Sequence, residues 1–329
     1  MAPVDPAEDL CREFEMAGGS VLTPNYALSS QTVIFYDWDE TLFPTTEICD
    51  RWGLKADQVH DFKSSLSYEQ LEDLEEWRDA LFELLCRTCE LTKKCVILTN
   101  SKRPWVDDCI QIFAPKLMQL FDQPGGPEIV YAHEHVSAQS RRLESVSACK
   151  PGKQFTADEW ALEQTFSKYV AMKDKVTEFY SKYSGQTWKN ILSFGDMPYE
   201  YHAVQDVTFR RKPPRAKREK IRTKSFLLPS NPTASAIALR LRFHEAVLPF
   251  YVQYDGDISL DLTRESDPLE AIGKALDLPE LSPFSAFSPL PLTSPLQDHQ
   301  WGLGRKPSKE EVQSELAMVK QMVSTKLSL

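Results

Sequence analysis

The sequence predicts an α/β fold in three layers, a parallel sheet with helices on both faces. Two observations predict it. Five short apolar runs rich in Val, Ile, Leu and Phe read as buried strands, and stretches with apolar residues three and four apart lie between them. Strands that alternate with helices build parallel sheets covered on both sides, and such sheets bind ligands beyond the carboxyl ends of their strands. A chain of 329 residues, 42% of them hydrophobic, can bury a core of that size.

Residues 1–30 read as an N-terminal extension. The first strand follows at Thr32–Asp37 (TVIFYD), then Cys95–Thr99, Glu128–Ala132, Asn190–Gly195 and Lys224–Leu228. The first helix spans Tyr68–Leu91, where Leu71, Leu74, Trp77, Leu81, Leu84 and Leu85 make one apolar face. Trp105–Leu120 repeats the habit with Ile110, Phe113, Leu117 and Leu120. Trp160–Tyr183 predicts a long helix with a break near Ala171, and Thr233–Tyr254 predicts another. Residues 43–66 are too few for a large cap and predict a small flap, with Trp52, His60 and Phe62 near an entrance. Residues 133–172 read as an insertion without a fold of its own. The body therefore covers residues 31–278.

Beyond it, residues 279–307 carry six prolines among many serines and predict an extended linker. Ser308-Lys309-Glu310-Glu311 is a capping box that opens a final helix within residues 308–329. The linker's composition predicts few contacts between that helix and the body. Its weak apolar stripe (Val312, Leu316, Val319, Val323) makes it a candidate surface for a protein partner.

No apolar run approaches the roughly 20 residues needed to span a bilayer. The N-terminus is acidic and lacks the apolar centre of an export signal, and seven cysteines are an odd number. Together these predict reduced thiols and a cytoplasmic or nuclear location. Net charge is −10, unevenly spread. Residues 210–224 hold nine basic side chains against a lone Glu219, a net of +8, so the remaining residues carry −18. An acidic body does not suit nucleic-acid binding. The basic strip reads as a solvated loop, a site for phosphate-rich ligands or a nuclear-import signal. Cys86 and Cys89 sit one helical turn apart with no second ligand pair at zinc spacing, so they read as buried thiols. His133 and His135 read as ordinary surface or loop histidines.

The strand ends carry the chemistry. Strand one ends in Asp37-Trp38-Asp39-Glu40-Thr41, and Asp is depleted in strand interiors, so two carboxylates at i and i+2 there need a reason. Strand two ends in Thr99-Asn100-Ser101, whose hydroxyls suit a phosphate oxygen. Strand four ends in Gly195-Asp196-Met197-Pro198-Tyr199-Glu200, a second acidic cluster. If strands one and four are neighbours, the two clusters meet. Packed carboxylates repel unless a cation lies between them, and an all-oxygen set favours a hard ion such as Mg2+.

The order DWDET, then TNS, then a lysine on a helix, then GDMPYE resembles the haloacid dehalogenase-like (HAD-like) superfamily over about residues 30–255. The resemblance implies a Rossmann-like core with a small cap and a Mg2+-dependent phosphomonoester hydrolase that works through an aspartyl-phosphate. It implies Asp37 as nucleophile and Asp39 as general acid and then base. Thr99 would hydrogen-bond the transferring phosphoryl group, with Thr41 and Asn100 on the substrate side. Asp37, Asp39, Asp196 and Glu200 would form the metal set. Lys168, Lys173 and Lys175 are all candidates for the family's lysine. Lys173 is preferred, because Asp174–Tyr180 continues from it as an amphipathic helix. The substrate would be a phosphorylated small molecule or phosphoprotein. A second reading is a regulatory protein on the same fold that holds a partner through residues 210–224 or the C-terminal helix.

Overall fold

The computed structural model describes residues 23–54, 62–136, 156–182, 187–209, 220–265, 267–281 and 307–328. His60, the basic residues 210–219, the linker 282–306 and residues 137–155 of the expected insertion lie outside the described residues, as do the extension's first 22 residues.

Six strands form one all-parallel sheet in the order β3-β2-β1-β4-β5-β6. They are β1 (Thr32–Tyr36), β2 (Cys95–Thr99), β3 (Glu128–Tyr131), β4 (Asn190–Gly195), β5 (Arg222–Leu227) and β6 (Ile258–Asp261). The helices are α1 (Tyr68–Leu91), α2 (Trp105–Phe113), the short α3 (Met118–Phe121), α4 (Ala157–Tyr180), α5 (Pro198–Phe209), α6 (Ala234–Gln253), α7 (Pro268–Leu276) and α8 (Lys309–Leu327).

Alternation of side chains along the strands divides the core into two layers. Val33, Phe35, Val96, Leu98 and Ile191 face one side, where α4 and α5 cover them with Tyr169, Met172, Val176 and Val204. Ile34, Tyr36, Ile97, Leu192 and Phe194 face the other, under α1, α2 and α6. Both faces are buried, which is why these strands read as continuous apolar runs and not as alternating ones.

Local chemistry sets the helix starts. Ser67 and Gln70 cap α1 reciprocally, and Thr156 and Glu159 do the same for α4. From that cap α4 runs unbroken to Tyr180, so the expected break at Ala171 is absent and residues 157–172 belong to a core helix, not to an insertion. Ala171 and Met172 are fully packed against the sheet, and nothing there interrupts the helical bonds. Sequence reasoning passed over β6, a four-residue edge strand with polar alternation (ISLD). It also passed over α7, although Asp267 caps it and Pro268 occupies its first turn.

The flap folds back on the core. Residues Thr46–Arg51 form a single π-helical turn, and Ile48 and Leu54 are buried in the main cluster.

The C-terminal helix differs from expectation in its packing. The Ser308–Glu311 capping box opens α8 as predicted. However, Leu316, Val319 and Val323 are buried in the main core cluster against α6. Lys320 pairs with Glu245 at 2.7 Å, and Lys309 reaches Glu72 on α1 at 3.3 Å. Its apolar stripe is spent on this chain's own body. Burying an aliphatic side chain contributes roughly 1.5–3 kcal/mol, so deleting residues 307–329 is expected to lower the melting temperature by several degrees. A truncated chain that melts with the full-length protein would show that this contact contributes nothing.

Candidate active site at the β1 and β4 carboxyl ends

β1 lies between β2 and β4, the point where the strand order reverses, so crossovers leave it on opposite sides and a crevice opens beyond its carboxyl end. The adjacency brings the two acidic clusters together. Asp37 extends the β1–β4 ladder by donating its N–H to the Phe194 carbonyl at 2.9 Å. A cleft of about 770 Å³ lies above, lined by residues of both clusters and of the Thr99–Ser101 turn.

The loop after β1 is held from below by aromatic rings. Trp38, between the two aspartates, points into the core and stacks on Phe43 at 5.6 Å, and Phe43 meets Trp77 edge-on at 5.5 Å. The Trp38 carbonyl accepts from the N–H groups of Leu42 and Phe43, both at 2.9 Å, and Trp77 Nε1 donates to the Leu42 carbonyl at 2.8 Å. The tight reversal puts Glu40 in the left-handed region (φ 57°). From α6, the buried Arg240 braces it, donating to the carbonyls of Glu40, Thr41 (3.3 Å) and Pro229 (2.8 Å). Thr41 is buried in this brace and does not line the cleft; its backbone, not its hydroxyl, takes part.

Asp37, Asp196 and Glu200 are buried, and one oxygen of each lies within 4.8 Å of the others. Gly195 makes this possible, since a Cβ there would stand 2.6 Å from Glu200 Oε2. The cation among them is Lys168. Its Nζ donates to Asp37 Oδ1 at 2.6 Å and the Leu98 carbonyl at 2.7 Å, and lies 2.7 Å from Glu200 Oε1.

This corrects the expectation for Lys173. Lys173 is exposed, donates to the Tyr169 hydroxyl at 3.1 Å and does not line the cleft, while Lys175 pairs with Glu128 at the other end of the sheet. The reason is helical phase and direction. Lys168 shares the buried stripe of Met172, Val176 and Phe179, whereas Lys173 lies well round the helix. α4 also runs antiparallel to the strands, so its N-terminal half lies at their carboxyl ends. Lys175, seven residues on, is about 10 Å too far along. That signal was present in the sequence.

Asp39 occupies a different environment. Thr45 Oγ1 donates to its Oδ1 at 2.7 Å and Trp105 Nε1 does so at 2.8 Å. Ser101 Oγ donates to Oδ2 at 2.8 Å, with Thr99 Oγ1 at 3.4 Å. Sequence reasoning missed Thr45 and Trp105. It weighed the Thr99–Ser101 run only as a phosphate ligand, whereas here the run holds Asp39. Asn100 lines the cleft and donates to the Gln164 carbonyl at 3.4 Å, leaving its own Oδ1 without a partner.

Electrostatics follow from crowding. Burial raises the Asp37 carboxyl well above its ordinary range; Lys168 pulls it back, while Glu200 and Asp196 add to the rise. Burial opposes the Lys168 charge, but Asp37 and Glu200 outweigh it and hold the ammonium above the usual lysine value. Asp196 is pushed up to about 7, by burial first and by Glu200 second. Three carboxylates around one ammonium leave two negative charges uncompensated if all ionise. Among the described residues, Glu200 Oε2 has no hydrogen-bond partner. An all-oxygen set of this kind can hold a metal ion.

A pH prediction follows for the metal-free protein. Asp196 binds its proton more tightly folded (about 7) than as an ordinary aspartate in the unfolded chain (3.8), so its contribution to stability is full below the unfolded value. That contribution is lost as pH rises to about 7. Compared with Asp196→Asn, the wild-type melting temperature is expected to fall across this window. Parallel curves for the two proteins would refute the assigned cause.

Among the remaining candidates, Cys86 and Cys89 are half-buried thiols on α1. His133 and His135 lie in a 3-10 turn after β3, near Ser167 and Asp174, and not on a continuing strand. No helix is long and apolar enough to cross a membrane, among the described residues. No protein-family model, curated protein or solved structure matches this chain.

Proposed function

We propose that this chain is a Mg2+-dependent phosphomonoester hydrolase that works through an aspartyl-phosphate on Asp37, as its motifs' resemblance to HAD-like phosphatases implies. The observation that carries the reading is the group Asp37, Asp196, Glu200 and Lys168, buried at a sheet's topological switch point and, with all three acids ionised, two positive charges short of neutrality. The donor set suits a hard divalent cation. Asp37, Asp196 and Glu200 would hold Mg2+, with Asp39 nearby through its backbone. Bound there, Mg2+ offsets charge repulsion between carboxylate and phosphate.

The chain's own residues supply the rest. Lys168 fixes Asp37 through Oδ1, which leaves Oδ2 to attack phosphorus as the bond to the leaving oxygen breaks. Asp39 gives that oxygen a proton and the alcohol departs. Water then attacks phosphorus, losing its proton to Asp39, and the Asp37 carboxylate and inorganic phosphate are released. Asp39 is tied to Thr45, Ser101 and Trp105, so it meets the leaving oxygen by exchanging one of these donors for substrate. Thr99 Oγ1 accepts from the Ser101 N–H at 2.9 Å and donates to Asp39 Oδ2 at 3.4 Å, and it lines the cleft where it would donate to a phosphoryl oxygen.

Hydrolysis of a generic aryl phosphate with and without Mg2+ tests the reading. Turnover that needs the metal is expected; none under either condition, in folded protein, would refute it.

A further inference from the structure

The mouth of the cleft is walled by aromatic side chains that the hydrolytic reading does not use. Trp160, on the first turn of α4, is 49% exposed, and Tyr199, on the first turn of α5, meets it edge-on with ring centroids 5.6 Å apart. Both line the cleft. Trp160, Gln164 and Lys168 lie at i, i+4 and i+8, so a single stripe of α4 runs from the mouth to the buried carboxylates, about 12 Å over two turns. Tyr199 is the neighbour of Glu200 in the first turn of α5 and lines the same cleft as Glu200 and Asp196.

Charge narrows what this wall accepts. The cleft is lined by five carboxylates (Asp37, Asp39, Glu40, Asp196, Glu200), and Lys168 is the basic side chain among the lining residues. Lys168 is already bound by two of those carboxylates. Among the described residues, nothing cationic along the lining remains to meet a second phosphate or a carboxylate on the leaving group. A tryptophan half in water and paired edge-on with a tyrosine offers a flat apolar surface and a ring edge, the contacts that planar rings prefer.

We infer that Trp160 and Tyr199 determine specificity, selecting phosphomonoesters whose phosphate is carried on an uncharged aromatic ring. This rests on the phosphohydrolase reading above. The ring can belong to a free aryl phosphate or to a phosphotyrosine within a peptide.

The test separates ring recognition from leaving-group reactivity. Phenylphosphonate and methylphosphonate carry P–C bonds that this chemistry does not cleave, and each is titrated calorimetrically into the full chain with Mg2+. Phenylphosphonate is expected to bind roughly tenfold more tightly. In Trp160→Ala that preference should fall to about twofold or less, and Trp160→Phe should keep most of it. Tyr199→Ala provides a second reading should Trp160→Ala melt early. Equal wild-type affinities, or a preference that survives both alanine variants, overturn the inference while leaving the phosphate site standing. If neither phosphonate binds, the phosphohydrolase reading fails and the inference fails with it. Competition by phosphotyrosine and by a phosphotyrosyl peptide then distinguishes the sources. The peptide competing better assigns a protein substrate, and the free amino acid competing better assigns a small one.

Discussion

Asp37→Asn is expected to fold as the wild type does and to lose turnover by on the order of 10³-fold or more. The substitution is nearly isosteric. It keeps a carbonyl oxygen that can accept from Lys168 Nζ, which also remains bound to Glu200 and the Leu98 carbonyl. What disappears is the anionic oxygen that, in the proposed mechanism, attacks phosphorus. One buried charge disappears with it, from a site where burial and two neighbouring acids already press Asp37 toward its neutral form. Stability of the metal-free protein should therefore hold or rise while catalysis collapses. That divergence is the signature of a nucleophile, as a structural carboxylate would lose both together. Turnover of an aryl phosphate and a thermal melt on the same preparation decide it. A folded variant that retains near-normal turnover removes Asp37 from the chemistry.

Much of this site could be read from the chain because its signals are local. Each acidic cluster closes a buried strand, and one assumption, that strands one and four are neighbours, was enough to predict their meeting; the β1–β4 ladder bears it out. Trp38 carried a signal that the sequence reading did not use, since alternation turns an aromatic between two outward aspartates into the core. What failed was of two kinds. Short elements such as β6 are passed over because four residues (ISLD) are too few for their alternation to stand out. Long-range partners carry no local signal. Trp105 holding Asp39, Arg240 bracing Glu40 and α8 packing on α6 each depend on tertiary proximity. The lysine is an intermediate case. Its sequence signal existed, in helical phase and strand polarity, but continuity of amphipathic pattern pointed to the wrong residue.

Lys168→Met should then produce the second large effect, on stability as well as on rate. Lys168 is 1% exposed, and its ammonium meets two buried carboxylates. Methionine fills a similar volume but leaves Asp37 and Glu200 facing each other without a counter-charge. Breaking a buried pair by removing one partner costs about 3–5 kcal/mol, because the stranded charge is the penalty. The acids can escape part of it by taking up protons, so the loss should grow as pH rises and more of the cluster ionises. Mg2+ should restore part of the melting temperature, since binding to the folded state supplies the missing positive charge. Turnover should stay depressed by roughly 10²–10³-fold even then, because the fixed donor that aims Asp37 is gone. Lys173→Met is the matched control. That lysine is exposed and, among the described residues, meets the Tyr169 ring and hydroxyl, so its loss should leave stability within about 0.5 kcal/mol and turnover unaltered. If the two variants exchange these behaviours, the cleft described here is not the one the protein uses.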